Sequence, residues 1–313
     1  MTRISSIGGW VGAAFLAAAA TCALVALARQ RRTLALSAPK SDTIQASEKS
    51  HSRQARRINQ ASTLLAAAAL ADSAIEHYRG SFHNRMMYLP LGVALQTVAV
   101  GLHGVGDERP GAHVMRDVGH GAAFATGIIG TGFHLYNVTK RPGGFSWLNL
   151  FYAAPLGAPA ALSLAGMLGV MAERVRDGDT VGGVATAPLL ARLIAGGLIG
   201  TAAEAGLLHF RGAYHNPAMF IPITAPPLAA ALLAGASFRG SSSLPARWML
   251  RLLVGVGFAG STFHAYGIQR SMGGWRNWSQ NLLNGPPLPA PPSFTALAMA
   301  GLASLSLIED ARA

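Results

Sequence analysis

Charge is what this sequence has least of. Lys, Arg, Asp and Glu make up 12% of its 313 residues, roughly half the share found in water-soluble domains. A surface made from so few charges argues against a soluble fold of this size. Acidic residues are scarcer still, 13 against 25 basic ones. The net charge of +12 does not indicate a nucleic-acid partner, because the basic residues lie between apolar runs, where the positive-inside rule and anionic headgroups place them. There is one cysteine, Cys22, within an apolar segment. This excludes an intrachain disulfide framework and leaves the compartment unspecified by cysteine usage. Gly-rich phosphate loops, Ser-His-Asp patterns and cysteine metal motifs are also missing, and the His-x5-His spacing fits no zinc-hydrolase signature.

What is abundant is apolar sequence. Hydrophobic residues make up 51% of the chain, in recurring stretches near the ~20 residues that cross ~30 Å of hydrocarbon. The first, Trp10 to Ala28, predicts a leading transmembrane helix over residues 1–28. Ala26-Leu27-Ala28 also resembles a signal cleavage site, but arginines directly after it oppose export. Residues 29–57 carry eight basic and two acidic side chains and predict a solvated, partly disordered cytoplasmic linker. Eight further spans are predicted: Ile58–Tyr78, Met86–Val105, Val118–Val138, Leu150–Met171, Leu189–Phe210, Ala218–Ala236, Trp248–Ile268 and Ser293–Ile308. The sixth of these holds Pro222, Pro226 and Pro227, which predicts a kinked helix packed inside the bundle.

Those eight spans read as a four-span unit written twice, over residues 58–175 and 176–313. His77-Tyr78-Arg79-Gly80-Ser81-Phe82-His83-Asn84 recurs as His209-Phe210-Arg211-Gly212-Ala213-Tyr214-His215-Asn216. Gly130-Thr131-Gly132-Phe133-His134-Leu135-Tyr136 returns as Gly260-Ser261-Thr262-Phe263-His264-Ala265-Tyr266, and each block is followed by a Gly-Gly pair. An even number of spans per unit makes both copies cross in the same sense, as a parallel repeat about an axis normal to the membrane. The fold expected is therefore an all-α integral membrane protein of about nine transmembrane helices, a leading helix plus a tandem duplication. Counting basic residues in the loops places the N-terminus outside and the C-terminus inside a bacterial cytoplasmic membrane. Trp147, Trp275 and Trp278 then fall at the outer interface.

On this topology His77, His83, His134, His209, His215 and His264 share one level at the extracytoplasmic face, where polar groups near hydrocarbon need partners or ligands. Imidazole binds haem iron, copper, zinc and non-haem iron. Haem b is favoured, with His77, His134, His209 and His264 as axial ligands from the first and third helices of each unit. Gly127, Gly130, Gly257 and Gly260 would leave room for the macrocycle or, as is more usual for glycine, let two helices pack closely, and Arg79 and Arg211 would pair its propionates or anchor the helix ends at the interface. Asp72 and Glu204, at matching positions inside apolar helices, are the candidate catalytic groups, relaying protons to a quinone or orienting a ligand; the structural alternative pairs such a carboxylate with Arg192. Asn84 and Asn216 are expected to cap the next helix. His103, His113 and His120 have no counterparts in the second unit; His120 precedes His134 by a spacing reminiscent of stacked haem ligands. The expected function is that of an electron-transfer subunit working with an extracytoplasmic redox partner. The alternatives are a non-haem metal enzyme or metal-handling protein, and a transporter or assembly factor with structural histidines.

Overall fold

The computed structural model describes residues 42–107, 113–153, 155–178 and 185–312, with side chains from Glu48 onward. The leading helix over residues 1–28 and the start of the linker lie outside these residues. Among the described residues every regular element is helical. In chain order they are α1 Asp42–Arg79, α2 Leu89–Gly106, α3 Val114–Thr139, α4 Trp147–Tyr152, α5 Gly157–Arg176, α6 Thr186–Arg211, α7 Ile221–Arg239, α8 Leu244–Arg270, α9 Trp278–Asn284 and α10 Pro292–Asp310. Short 3-10 turns, Arg85–Tyr88 and Pro217–Phe220, lead into α2 and α7.

Two expectations need correction. Residues 42–57 are not a disordered linker; they form the first turns of the 38-residue α1. Polarity alone suggested solvation, yet Gln54, Ala55, Ile58 and Asn59 are buried, so one face of the segment is held by tertiary contact. The single span expected over Leu150–Met171 is split into α4 and α5, because Pro155 cannot continue a helix and biases the residue before it away from helical backbone. The proline-rich span is helical throughout, with Pro226 and Pro227 inside α7. Those two residues forgo bonds to the carbonyls of Pro222 and Ile223.

Among the described residues four helical segments are long and apolar enough to cross a membrane: Arg85–Gly106, Thr186–Arg211, Pro217–Arg239 and Pro292–Asp310. In the second and third of these only 22% of the most apolar window is buried within the protein. Ile199 and Leu228 point outward there, as do Leu95, Leu102, Leu252 and Phe258 elsewhere. Such apolar surface is a liability in water and the ordinary condition in lipid. The described residues are thus all-helical, with four helices of the length and apolarity that suit a membrane.

Packing closes the helices into two rings. α1 contacts α2, α2 contacts α3, α3 contacts α5, and α5 returns to α1. α6, α7, α8 and α10 close in the same order. Within each ring the first and third helices therefore face each other across the diagonal. The rings join where α10 packs on α1 and α5 on α6, around Leu65, Leu168, Leu190, Ile194, Leu198 and Leu297.

Glycine sets the closest approaches. A Cβ on Gly127 would run into Ser163 Oγ and the Pro159 carbonyl of α5, and one on Gly257 into Thr295 Oγ1 and Pro291 O of α10. Gly132, on the same helix as Gly127, has open space around it. Gly127→Ala should therefore destabilise the protein by about 1–3 kcal/mol. Gly132→Ala should be neutral or stabilising, by about 0.5–1 kcal/mol, since alanine is the better helix former. Thermal melts of the two variants in one detergent check the contrast; equal shifts would mean that α3 and α5 are not packed this closely.

Candidate functional site

The ends of α1 and α6 are built alike. Beyond α1 the chain turns through Ser81 and Phe82 at φ of 55° and 45°, and beyond α6 through Ala213 and Tyr214 at 54° and 46°. Left-handed backbone at a residue with a Cβ costs about 1–2 kcal/mol, so each turn must be held from outside. Stacking supplies part of that. Phe82 lies flat on Tyr88 at 4.4 Å and presents an edge to His77, and Tyr214 does the same with Phe220, at 4.6 Å, and His209. Asn84 and Asn216 then cap the 3-10 turns, accepting from Met86 N and Ala218 N at 2.9 Å each, as their position predicts.

Four of the six helix-end histidines are tethered in one manner. Nδ1 lies 2.7 Å from Met87 O for His77, 2.5 Å from Pro155 O for His134, 2.8 Å from Met219 O for His209 and 2.7 Å from Pro287 O for His264. A carbonyl only accepts, so each Nδ1 carries the proton and donates. In a neutral ring that leaves Nε2 with its lone pair, the state in which imidazole binds a metal. A second-nitrogen bond to a carbonyl is also how metal-bound histidines are oriented. His77 lies within electrostatic reach of His134, and His264 within reach of His209, each couple on the first and third helices of its four-helix ring.

The other two do not join them. His83 and His215 are exposed and bond the turn carbonyls Gly80 O and Gly212 O at 3.0 Å each. Among the described residues no three His, Cys, Asp or Glu side chains are grouped so that they could hold one ion. The expectation of three histidines per unit converging on a metal is thus not met. Of the two readings of the glycines the packing one holds: Pro159 and Ser163 of α5, and Pro291 and Thr295 at α10, occupy the space beside Gly127, Gly130, Gly257 and Gly260, which do not open a slot. Arg79 pairs with Glu76 at 2.7 Å, and Arg211 lies over the Tyr152 ring, 5.4 Å from its centroid.

Asp72 and Glu204, far apart in sequence, come within electrostatic reach of each other where the two rings join. Glu204 Oε1 accepts from Gly157 N at 2.8 Å, where a carboxylate suits the amino end of α5. Arg192 is not their partner, since it sits over the Phe238 ring.

Sequence reasoning missed the role of Asn149 and Asn281. Both are buried and donate from Nδ2 to two loop carbonyls, Gly144 O at 2.7 Å and Pro142 O at 3.1 Å for the first, Gly274 O at 2.8 Å and Met272 O at 3.3 Å for the second. They fix the loops between α3 and α5 and between α8 and α10, from which Pro155 O and Pro287 O reach the histidines. The signal was their matching place beside the Gly-Gly pairs. Comparison with protein-family models, curated proteins and solved structures finds no match for the chain.

Proposed function

We propose that this protein is the membrane subunit of an electron-transfer system, holding a redox metal between His77 and His134 and another between His209 and His264. The single observation that carries the reading is the tethering of these four rings through Nδ1, which leaves the Nε2 lone pair of each free to bind a metal. In the full proposal a leading helix precedes a tandem duplication, about nine spans in all. The histidine level is extracytoplasmic, the N-terminus outside and the C-terminus inside a bacterial inner membrane. A redox subunit docks at that level, and Asp72 and Glu204 handle the protons of a quinone. The repeated turns, caps and ring contacts support the duplication.

Haem b is the first choice of metal, because two facing imidazoles are the axial set of a six-coordinate haem and four-helix bundles commonly house cofactors between facing helices. The occupied glycines favour a second reading, a bare ion such as copper bound by the same two rings, with a substrate or partner completing its shell. A reduced-minus-oxidised visible spectrum together with elemental analysis of the purified chain separates them. Haem gives sharp bands on reduction and iron near one per histidine pair. Copper without those bands supports the second reading, and absence of both metals rejects electron transfer altogether.

A further inference from the structure

Away from the histidine pairs, the first ring encloses a polar cluster that electron transfer at those pairs does not use. At its centre is Glu173 of α5, fully buried. Its Oε2 accepts from Arg116 Nη2 at 2.8 Å, and its Oε1 from Asn59 Nδ2 at 3.2 Å. Arg176 Nε lies 3.5 Å from Oε2. Arg116 Nη1 continues to Asp107 Oδ2 at 3.0 Å and to His103 Nδ1 at 3.0 Å, and His113 Nε2 reaches the same Asp107 oxygen at 2.8 Å. Arg176 Nη2 donates to Gly104 O at 2.8 Å. His103 is exposed and His113 partly so, so the cluster opens at the end of the bundle opposite the histidine pairs.

His120 lies deepest. Its ring is fully buried, rests against Gly169, and feels the charges of Glu173 and Arg116. Neither of its nitrogens has a hydrogen-bond partner among the described residues. The other buried side-chain polar atoms in that condition are Asn59 Oδ1, Arg116 Nε and Arg176 Nε. All five atoms without a hydrogen bond among the described residues thus belong to residues around Glu173, Arg176 Nε keeping only its longer ion pair to Oε2. Buried polar atoms are almost always satisfied by protein or ordered water, so several orphans in one place are where ordered water is expected. Their chemistry selects the occupant. Two Arg Nε donors, an amide oxygen and an imidazole need a molecule that both donates and accepts; an anion would leave the amide oxygen without a donor.

We propose that the first ring holds a chain of ordered waters that carries protons between the aqueous end at His103 and His113 and the imidazole of His120. Charged and titratable groups at this path are His103 of α2, Asp107 just beyond it, His113 and Arg116 at the start of α3, and Glu173 and Arg176 of α5, with Asn59 from α1. The arginines stay protonated, so the waters and imidazoles do the relaying. A proton entering from bulk water sits on His120 and leaves by the same route, with no other bond changed. The second ring supplies an internal control. At the places matching Asn59, Arg116, His120, Glu173 and Arg176 it has Ala191, Ala246, Leu250, Leu305 and Ile308, with Leu250 packed on Gly301 as His120 is on Gly169.

Hydroxyl-radical footprinting of the full chain in lipid nanodiscs tests the water. Corrected for intrinsic reactivity, His120 should label within roughly threefold of the exposed His83, and the equally buried Leu250 at least roughly tenfold more slowly. Protection of His120 equal to that of Leu250 overturns the proposal. Water-edited nitrogen NMR of histidine-labelled chain tests the proton. The His120 ring, identified by the signal lost in His120→Leu or, if that variant does not fold, His120→Gln, should exchange with bulk water, and His113→Gln should slow this exchange. A labelled His120 ring that never exchanges also overturns it. Neither measurement depends on a bound metal, so the outcome is separate from that at the histidine pairs.

Discussion

His134→Ala should remove one metal and leave the other, halving the bound iron or copper while the protein still folds. The expectation rests on the separation of the two pairs, His77 with His134 and His209 with His264, each on its own four-helix ring. His264→Ala should do the same to the other centre, and the double variant should bind none. Fold retention is expected because each ring makes one recorded bond, to Pro155 O or Pro287 O, whose loss costs about 1 kcal/mol. His83→Ala and His215→Ala should retain full occupancy, since those rings are exposed and bonded to their own turns. Metal content and visible spectra of the variants are the measurement. Occupancy unchanged in His134→Ala and His264→Ala would remove both pairs as ligands.

The second large effect concerns stability. Glu173→Leu should lower the melting temperature by on the order of 10 °C, because removing one partner of a buried ion pair costs about 3–5 kcal/mol. It leaves two buried cations, Arg116 and Arg176, whose side chains are 1% and 0% exposed, with Asp107 as the remaining carboxylate named beside them. Adding Arg116→Met should recover more than half of the loss. The removed charges then cancel, and Asp107 and Arg176 remain as a balanced pair. The second ring packs Ala246 and Leu305 at the corresponding places without any ions. A double variant no more stable than Glu173→Leu would mean that Arg116 is held chiefly by Asp107. Melting curves of the single and double variants decide it.

The elements differ in how far they could be read from the chain. Spans over α2, α3, α6, α7, α8 and α10 follow the apolar runs to within a few residues, because lipid and protein interior alike select apolar side chains. The early turns of α1 were misread because one buried face among basic residues leaves little mark on average polarity. The break between α4 and α5 was missed because apolar residues continue through Pro155 while the helix cannot. Among site residues, the capping role of Asn84 and Asn216 was legible, since an asparagine before a helix acts through backbone groups only two residues away. The packing role of Gly127 and Gly257 was legible as the commoner use of glycine, but not their partners Ser163, Pro159, Thr295 and Pro291, which come from distant sequence.

By itself the sequence determined that the chain is helical, that it belongs in a membrane, and that two sets of histidines stand at corresponding helix ends. Those properties are carried by composition, run length and order, which need no knowledge of contacts. Only the tertiary structure decided that His77 and His134 are turned by distant carbonyls into Nδ1-protonated rings. It alone brought Asp72 within electrostatic reach of Glu204, and gathered Asn59, Arg116, His120 and Arg176 from three helices around the Glu173 carboxylate. Such pairings depend on which helix lies beside which and at what depth, and that is set by the close approaches at Gly127, Gly166 and Gly169, whose partners the local sequence does not specify.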